Sequence, residues 1–166
     1  FGCPAFCTFC FEGYDRKPYR ELPLSDILSA AHKIKQAQGV EELNLYSFNF
    51  NTHTDILEML LRLHRVFDRV GLKSQRLDVL QRVGGLLEAE VEADKRDFTL
   101  GIEGISERQR AWLHKSLSSE DITALLHRLL GLKIRRIKLF YILTGHETAE
   151  DMAEFRRFLK WLKATR

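Results

Sequence analysis

The chain has 166 residues, of which 45% are hydrophobic and 30% are charged, and its formal net charge is +3 at pH 7. This length and composition are typical of one globular domain with a substantial core. The small net charge does not favour a nucleic-acid-binding protein, and no segment approaches the roughly 20 consecutive apolar residues that span a bilayer.

The chain opens with its only three cysteines, Cys3, Cys7 and Cys10. Disulfide pairing would leave one thiol over, and the spacing is too short for an unstrained bridge. Three thiolates on one short loop can instead hold one side of a metal centre. A structural zinc site would need a fourth ligand, and the candidates His32 and His53 do not stand at the spacing of a zinc finger. A 4Fe–4S cluster held by three cysteines would leave one iron free to bind a small molecule.

Beyond this cysteine loop, the hydrophobic pattern predicts helices and strands that alternate along the chain. After a loop over residues 11–24, strands are predicted over residues 43–48, 73–80, 98–102 and 134–143. Helices are predicted over residues 25–39, from 54 or 55 to 71, around 83–87, over 106–115, over 118–131 and from 148 onward, with Ser25 as an N-cap and a capping box at 118–121. Such alternation is typical of βαβ units and predicts an α/β fold with a parallel sheet.

Polar side chains follow the predicted strands at their carboxyl ends, where parallel α/β barrels have their active sites. Ser47, Asn49, Asn51 and His53 follow the first strand, Glu103 and Ser106 follow the third, and residues 144–147 follow the fourth. We therefore expect one cofactor site shared by several loops. On the predicted strand 73–80, Arg76 and Asp78 would share one face, which we expect to line the barrel interior as an ion pair.

The spacing Cys3-x3-Cys7-x2-Cys10, with the aromatic Phe9 before the last cysteine, resembles the signature of the radical S-adenosylmethionine (radical SAM) enzymes. The resemblance implies a 4Fe–4S cluster whose free iron binds the amino and carboxylate groups of SAM. In such enzymes the cluster gives SAM one electron, and the resulting 5′-deoxyadenosyl radical abstracts a hydrogen atom from the substrate. An electron donor of the reductase or ferredoxin type is implied as a partner.

The same resemblance implies a partial (β/α) barrel with parallel strands inside and helices outside. Residues 1–166 are then expected to be a fragment of the radical SAM core domain, with the first strand before residue 1 and the last βα unit after residue 166. Residues 3–19 and 101–115 resemble family members that also carry a cobalamin-binding domain, so cobalamin held by a domain outside this segment is a further expectation.

Site residues follow from the resemblance at three strand exits. The segment 101–108 is similar to the family's fourth-strand exit, which implies that Glu103 and Ser106 bind the SAM ribose and that Arg108 pairs with the SAM carboxylate. The alternatives are that Glu103 is a charge at the entry to a helix, that Ser106 is an N-cap with Gln109 as its partner, and that Arg108 belongs to a solvated face.

The other two exits match the family pattern in part. Residues 143–148 are similar to the fifth-strand exit, which implies backbone contacts from Gly145 to adenine, and Phe9 is expected beside adenine or as a filler of its loop. Where the family carries a Gly-Gly-Glu stretch that binds the SAM amino group, this chain offers Ser47 or Asn49.

Two other functional classes are kept open. One is a non-catalytic iron–sulfur or zinc module, against which the polar residues at the later strand ends count. The other is a radical SAM methyltransferase or tRNA-modifying enzyme, although the even charge does not support a nucleic-acid partner. Free thiols poised for a metal favour a reducing, cytoplasmic compartment. We expect no membrane partner, and the sequence does not identify the substrate.

Overall fold

The computed structural model describes residues 1–72, 75–132 and 134–165. Within these residues the chain forms four β-strands and eight α-helices. The strands are β1 (Glu42–Leu45), β2 (Arg69–Leu72), β3 (Asp97–Glu103) and β4 (Arg136–Tyr141). The helices are α1 (Glu12–Asp15), α2 (Leu24–Gln38), α3 (Ile56–Leu63), α4 (Leu77–Arg82), α5 (Leu86–Glu92), α6 (Glu107–Trp112), α7 (Ser119–Gly131) and α8 (Ala149–Ala164), and a 3-10 turn spans Phe50–Thr52.

The four strands form two parallel pairs. β1 pairs with β2 from Glu42 opposite Arg69 to Leu45 opposite Leu72. β3 pairs with β4, starting from Asp97 opposite Arg136, with an irregularity between Gly101 and Glu103. Each pair is bridged by helical segments, as parallel strands require. The described residues therefore confirm an α/β fold with parallel strands, and they contain no closed barrel.

Alternating burial along β3 places its apolar side chains in the main core. Phe98, Leu100 and Ile102 are almost fully buried, and they share a hydrophobic cluster with residues of α4, α5 and α7. A second cluster joins α2 to α3 through Leu28, Ala31, Met59, Leu63 and Phe67. Apolar contacts with the helices thus hold the strands in place. The loops at the carboxyl ends of the strands carry the polar groups.

The predicted strand over residues 73–80 is wrong. Lys73 and Ser74 lie outside the described residues, and Leu77–Arg82 is helix α4. The strand of this region is Arg69–Leu72, although the sequence analysis placed residues 69–71 at the end of the preceding helix. A short apolar run such as Leu77 to Leu80 has no periodicity that separates a strand from a buried helical turn. Gly71 resembles a helix C-cap, yet it lies within β2, where the Asn44 side chain covers it.

The predicted start of α7 agrees with the structure better than the predicted strand at 73–80 does. Ser118 and Thr148 form capping boxes with Asp121 and Asp151, respectively. Ser25 is not an N-cap, because α2 begins one residue earlier, directly after Pro23. No helix in the described part of the chain combines the length and the apolar character needed to cross a lipid bilayer.

The turn from β3 into α6 depends on a glycine. A Cβ atom at Gly104 would lie 2.6 Å from the backbone nitrogen of Arg110, so no side chain fits without a backbone shift.

We predict that Gly104→Ala lowers the free energy of unfolding by about 1–3 kcal/mol, as overpacking does. The control is Gly131→Ala at the end of α7, where a Cβ would meet open space. It should leave stability unchanged or raise it by up to about 1 kcal/mol. Urea denaturation of both variants checks this, and equal losses would contradict the steric explanation.

Candidate functional site

The cysteine loop lies against the end of α6. The backbone N–H of Thr8 donates to the carbonyl of Leu113 at 3.1 Å, and the N–H of Cys10 donates to the carbonyl of Cys7 at 3.0 Å. All three cysteines are free. Cys3 and Cys7 are 7% and 6% exposed, and Cys10 is half-buried. A short loop with two buried thiols and one at its edge can present all three sulfurs toward one side.

The loop that follows β1 reaches the first of these thiols. The Asn49 side-chain amide donates to Cys3 Sγ at 2.8 Å, and the backbone N–H of Ala5 donates to the same sulfur at 3.4 Å. Hydrogen bonds to a ligand sulfur are one of the features by which proteins tune iron–sulfur clusters.

Within residues 1–72, 75–132 and 134–165, no three Cys, His, Asp or Glu side chains are grouped closely enough to bind one metal ion. Each cysteine ligand of a 4Fe–4S cluster binds a different iron atom, so the ligands of such a cluster stand farther apart than the ligands of a single ion. Three free thiols on one loop, two of them buried and one already supplied with N–H donors, therefore fit a cluster better than a zinc ion.

The exits of β1 and β2 are joined through Asn51. Its fully buried side chain accepts from the backbone N–H of Arg76 at 2.9 Å and donates to the backbone carbonyl of Arg76, also at 2.9 Å. The sequence analysis placed Asn51 among the polar residues that follow the first strand, but both ends of its side-chain amide are engaged with Arg76. The amide of Asn51 instead replaces the backbone partners that Arg76 would have in a sheet.

Arg76 and Asp78 form the predicted ion pair, but not on a strand. Arg76 lies just before α4, and its Nε and Nη2 atoms donate to the Asp78 carboxylate at 2.9 and 3.0 Å. Burial lowers the pKa of Arg76, yet the bonds to Asp78 and a smaller contribution from Cys7 outweigh it and raise the pKa above the usual value. The guanidinium is therefore a fixed positive group near Cys7.

Glu103 ends β3 in an unusual backbone conformation. Its φ angle is +69°, in the left-handed region that costs energy for a residue other than glycine. Its half-buried carboxylate lies over Gly101, where a Cβ would overlap it, and Lys115 Nζ lies 3.5 Å away. Among the residues that the structure describes, Lys115 is the one cationic partner of this carboxylate, at the edge of bonding distance, and the carboxylate retains capacity to accept further hydrogen bonds.

Ser106 and Arg108 are joined by Asp151, a residue of α8 that is 2% exposed. Ser106 Oγ donates to Asp151 at 2.5 Å and accepts from the N–H of Gln109 as the N-cap of α6. Arg108 binds Asp151 through Nε at 3.1 Å and through Nη2. The Arg108 guanidinium holds the pKa of Asp151 far below its usual range. The two predicted ligands thus tie α6 to α8.

The loop between β4 and α8 is organised around Glu147. Its carboxylate accepts from the Thr144 N–H at 2.7 Å and from the Gly145 N–H at 3.0 Å. The bond from the Thr144 N–H, followed by side-chain hydrogen bonds from Gln109 and Thr144, lowers the pKa of Glu147 to about 2. Gly145 has a φ of +78°, and because its N–H is already engaged, its carbonyl is the backbone group that remains for a ligand.

The predicted site residues fall into separate groups. Ser47 and Asn49 line a cavity of about 530 Å³ beside the end of β1. Arg108 lines a different cavity, of about 210 Å³. Phe9 is 45% exposed at the cysteine loop. The structure brings Asn49 to Cys3 and Ser106 to Arg108, but it does not gather all the predicted residues around one cavity.

Three residues at these exits were missed or misread by sequence reasoning. They are Asn51, Lys115 and Asp151. Asp151 had a visible signal, because Thr148-x-x-Asp151 has the spacing of a capping box. Asn51 and Lys115 had none, since their partners are set by contacts between distant segments.

Asp151 makes the stability of the α6–α8 junction dependent on pH. Because its folded-state pKa lies below that of an unfolded aspartate, about 3.9, its contribution is complete above about pH 4 and is lost as the pH falls below that value. We predict that Asp151→Asn lowers the free energy of unfolding at pH 7 by about 1–3 kcal/mol and flattens the loss of stability in acid. Denaturation from pH 7 to pH 2.5 checks this, with Asp68→Asn at an exposed aspartate as control. Parallel pH profiles for wild type and Asp151→Asn would contradict it.

Comparison with known proteins identifies related chains. Residues 1–159 match the family model of the Radical SAM superfamily. The ribosomal protein uS12 methylthiotransferase RimO of Chlorobium chlorochromatii is 39% identical over 69 residues, which cover 37% of this chain and 16% of the relative. A tRNA-2-methylthio-N(6)-dimethylallyladenosine synthase of Legionella pneumophila is 31% identical over 78 residues, which cover 42% of this chain and 17% of the relative.

A longer match extends along nearly the whole chain. An uncharacterised protein of Methanocaldococcus jannaschii is 24% identical over 163 residues, which cover 98% of this chain and 36% of that protein. The chain thus spans between 16% and 36% of the length of these three relatives. Because the family model matches almost every residue from the first cysteine loop to α8, the chain belongs to the radical SAM superfamily of enzymes.

Proposed function

We propose that this chain forms the cofactor-binding core of an enzyme that cleaves S-adenosylmethionine reductively and uses the 5′-deoxyadenosyl radical to abstract a hydrogen atom from a substrate. The observation that carries the proposal is the loop of three free cysteines, with Cys3 and Cys7 buried and Cys3 supplied with two N–H donors. A 4Fe–4S cluster held there would supply the electron for the cleavage. An external reductase or a ferredoxin-type protein is the proposed electron donor.

Cys3, Cys7 and Cys10 are the proposed cluster ligands. Three ligands for four irons leave one iron without a protein ligand, and this iron is the proposed anchor for the amino acid part of SAM. The contact between Thr8 and Leu113 holds the loop at the carboxyl end of α6. The site is therefore supported by hydrogen bonds that do not depend on the cluster.

The proposed SAM contacts come from several strand exits. Glu103 is proposed to accept hydrogen bonds from the ribose hydroxyls, because its carboxylate retains free capacity next to Lys115. Ser47 or the side-chain oxygen of Asn49 is proposed for the amino group. Phe9 and the carbonyl of Gly145 are proposed for adenine.

For Ser106 and Arg108 we propose a positioning role that differs from the SAM contacts expected from the sequence. Their hydrogen bonds with Asp151 support a function in positioning the start of α6, in place of direct contact with SAM. The positive charge of Arg108 is then balanced by a buried carboxylate, which makes it a poor partner for a second carboxylate.

We further propose that the two parallel pairs belong to one partial (β/α) barrel, the core domain of residues 1–166. Their shared parallel geometry and the polar residues at their carboxyl ends support this arrangement. Strands beyond residues 1 and 166 and a cobalamin-binding domain stay predictions from the family resemblance.

Sulfur insertion is the reaction class that the relatives favour. Two of them are named for methylthio transfer, one to ribosomal protein uS12 and one to an adenosine of tRNA. We propose methylthio transfer as the first reaction to test with the intact protein. A tRNA substrate has less support, because the net charge of the chain is only +3.

The cysteine assignment is tested by substitution in the intact protein. We predict that anaerobic reconstitution gives about four irons per wild-type chain, and that Cys3→Ala, Cys7→Ala and Cys10→Ala each lose most of this iron and all formation of 5′-deoxyadenosine. Thr8→Ala, in the same loop, should retain both. Iron, sulfide and nucleoside analysis checks this, and a cysteine variant with full iron and activity would refute its assignment.

The role of Glu103 is tested by SAM affinity. Glu103→Gln removes the charge that strengthens hydrogen bonds to the ribose hydroxyls, which should weaken SAM binding about tenfold without changing the iron content. Glu120→Gln, at an exposed position on α7, should change neither. Equilibrium binding of SAM to the reconstituted protein measures the effect, and unchanged affinity in Glu103→Gln would argue against a ribose contact.

A further inference from the structure

Asn49 is held in a fixed position between β1 and the 3-10 turn. Its backbone carbonyl accepts from the backbone N–H of Thr52 at 3.2 Å and from Thr52 Oγ1 at 2.7 Å. Its side-chain nitrogen lies 2.8 Å from Cys3 Sγ. The backbone of Asn49 is thus held by Thr52 and not by the contact with the sulfur. The Asn49 side chain therefore extends toward Cys3 from a fixed backbone position.

The chemistry of the pair fixes the orientation of the amide. A thiolate sulfur can only accept hydrogen bonds, whereas an asparagine side chain offers N–H donors on one side and a carbonyl oxygen on the other. The nitrogen must therefore face Cys3 Sγ, and the carbonyl oxygen points away from it. Together with the N–H of Ala5 at 3.4 Å, this gives Cys3 two donors.

We propose that Asn49 is a positioning residue that raises the reduction potential of the iron–sulfur cluster through its hydrogen bond to Cys3. The inference rests on the proposed function, because it requires a cluster ligated by Cys3. Reduction adds one electron from an external reductant and so adds one negative charge to the cluster and its thiolates. A donor on a ligand sulfur stabilises the reduced form more than the oxidised form, which raises the potential.

Arg76 acts on a different thiolate and is a smaller influence. Its guanidinium lies near Cys7, but two hydrogen bonds tie it to the Asp78 carboxylate, whose charge offsets its own. Asn49 is neutral and bonds directly to a sulfur. The hydrogen bond of Asn49 can therefore be removed without adding or deleting a charge, which isolates its effect.

The test is a potentiometric titration of the intact, anaerobically reconstituted protein, followed by EPR of the reduced cluster without SAM. Omitting SAM excludes any effect of a lost contact between Asn49 and SAM. Asn49→Leu removes the donor at similar volume, and Asn49→Asp replaces it with a carboxylate. Asn44→Ala is the control, because the Asn44 amide on β1 donates to Glu42 and not to a cysteine.

We expect Asn49→Leu to lower the midpoint potential of the cluster. At a given applied potential, the ratio of reduced to oxidised cluster should fall about tenfold, which corresponds to a shift of about 59 mV for a one-electron couple. Asn49→Asp should lower it further, and Asn44→Ala should match wild type.

Equal potentials in wild type, Asn49→Leu and Asn49→Asp would overturn the inference while leaving the proposed function intact. Failure of both Asn49 variants to hold iron, with iron retained by Asn44→Ala, would also overturn it, because a donor that tunes the potential is not needed for assembly. Absence of a cluster from the wild-type protein would refute the proposed function itself.

Discussion

Two asparagine side chains after β1 connect the three segments on which the candidate site depends. Asn49 donates to Cys3 Sγ, and Asn51 makes two hydrogen bonds with the backbone of Arg76, just before α4. Asn51 is fully buried, so water cannot replace its bonds, and loss of its amide would leave two backbone groups unsatisfied. The position of the cysteine loop relative to the exits of β1 and β2 therefore rests on directional polar contacts, while apolar packing fixes the strands beneath them.

In the second half of the chain, a buried carboxylate positions the loops and helices at the strand ends. Asp151 receives hydrogen bonds from Ser106 and Arg108, and these bonds fix the start of α6 against the start of α8. Glu103 stands apart from this network, with a strained backbone angle and a carboxylate whose cationic partner, within the part of the chain that the structure describes, is Lys115 at 3.5 Å. Residues that are fully engaged with the protein support the site, and the residue that retains bonding capacity is the better candidate for contact with a ligand.

The sequence predicts what depends on local pattern. The cysteine motif, the capping box at Ser118, and the strands near residues 98–102 and 134–143 all follow from short-range signals, and the family match and the structure confirm them. The strand at 69–72 was missed because it is only four residues long and contains Arg69 and Gly71 in place of a continuous apolar run. The links from Asn51 to Arg76 and from Ser106 to Asp151 join residues 25 and 45 positions apart, and no local pattern encodes such partners.

The central claim is that the cysteine loop holds a cluster with one iron open to S-adenosylmethionine. EPR of the reduced, anaerobically reconstituted intact protein, recorded with and without S-adenosylmethionine, tests it most directly. The account predicts a 4Fe–4S signal whose shape changes when S-adenosylmethionine is added, because the amino acid group binds the open iron. A cluster signal that is indifferent to S-adenosylmethionine, or stoichiometric zinc in place of iron, would contradict the account and favour a non-catalytic metal module.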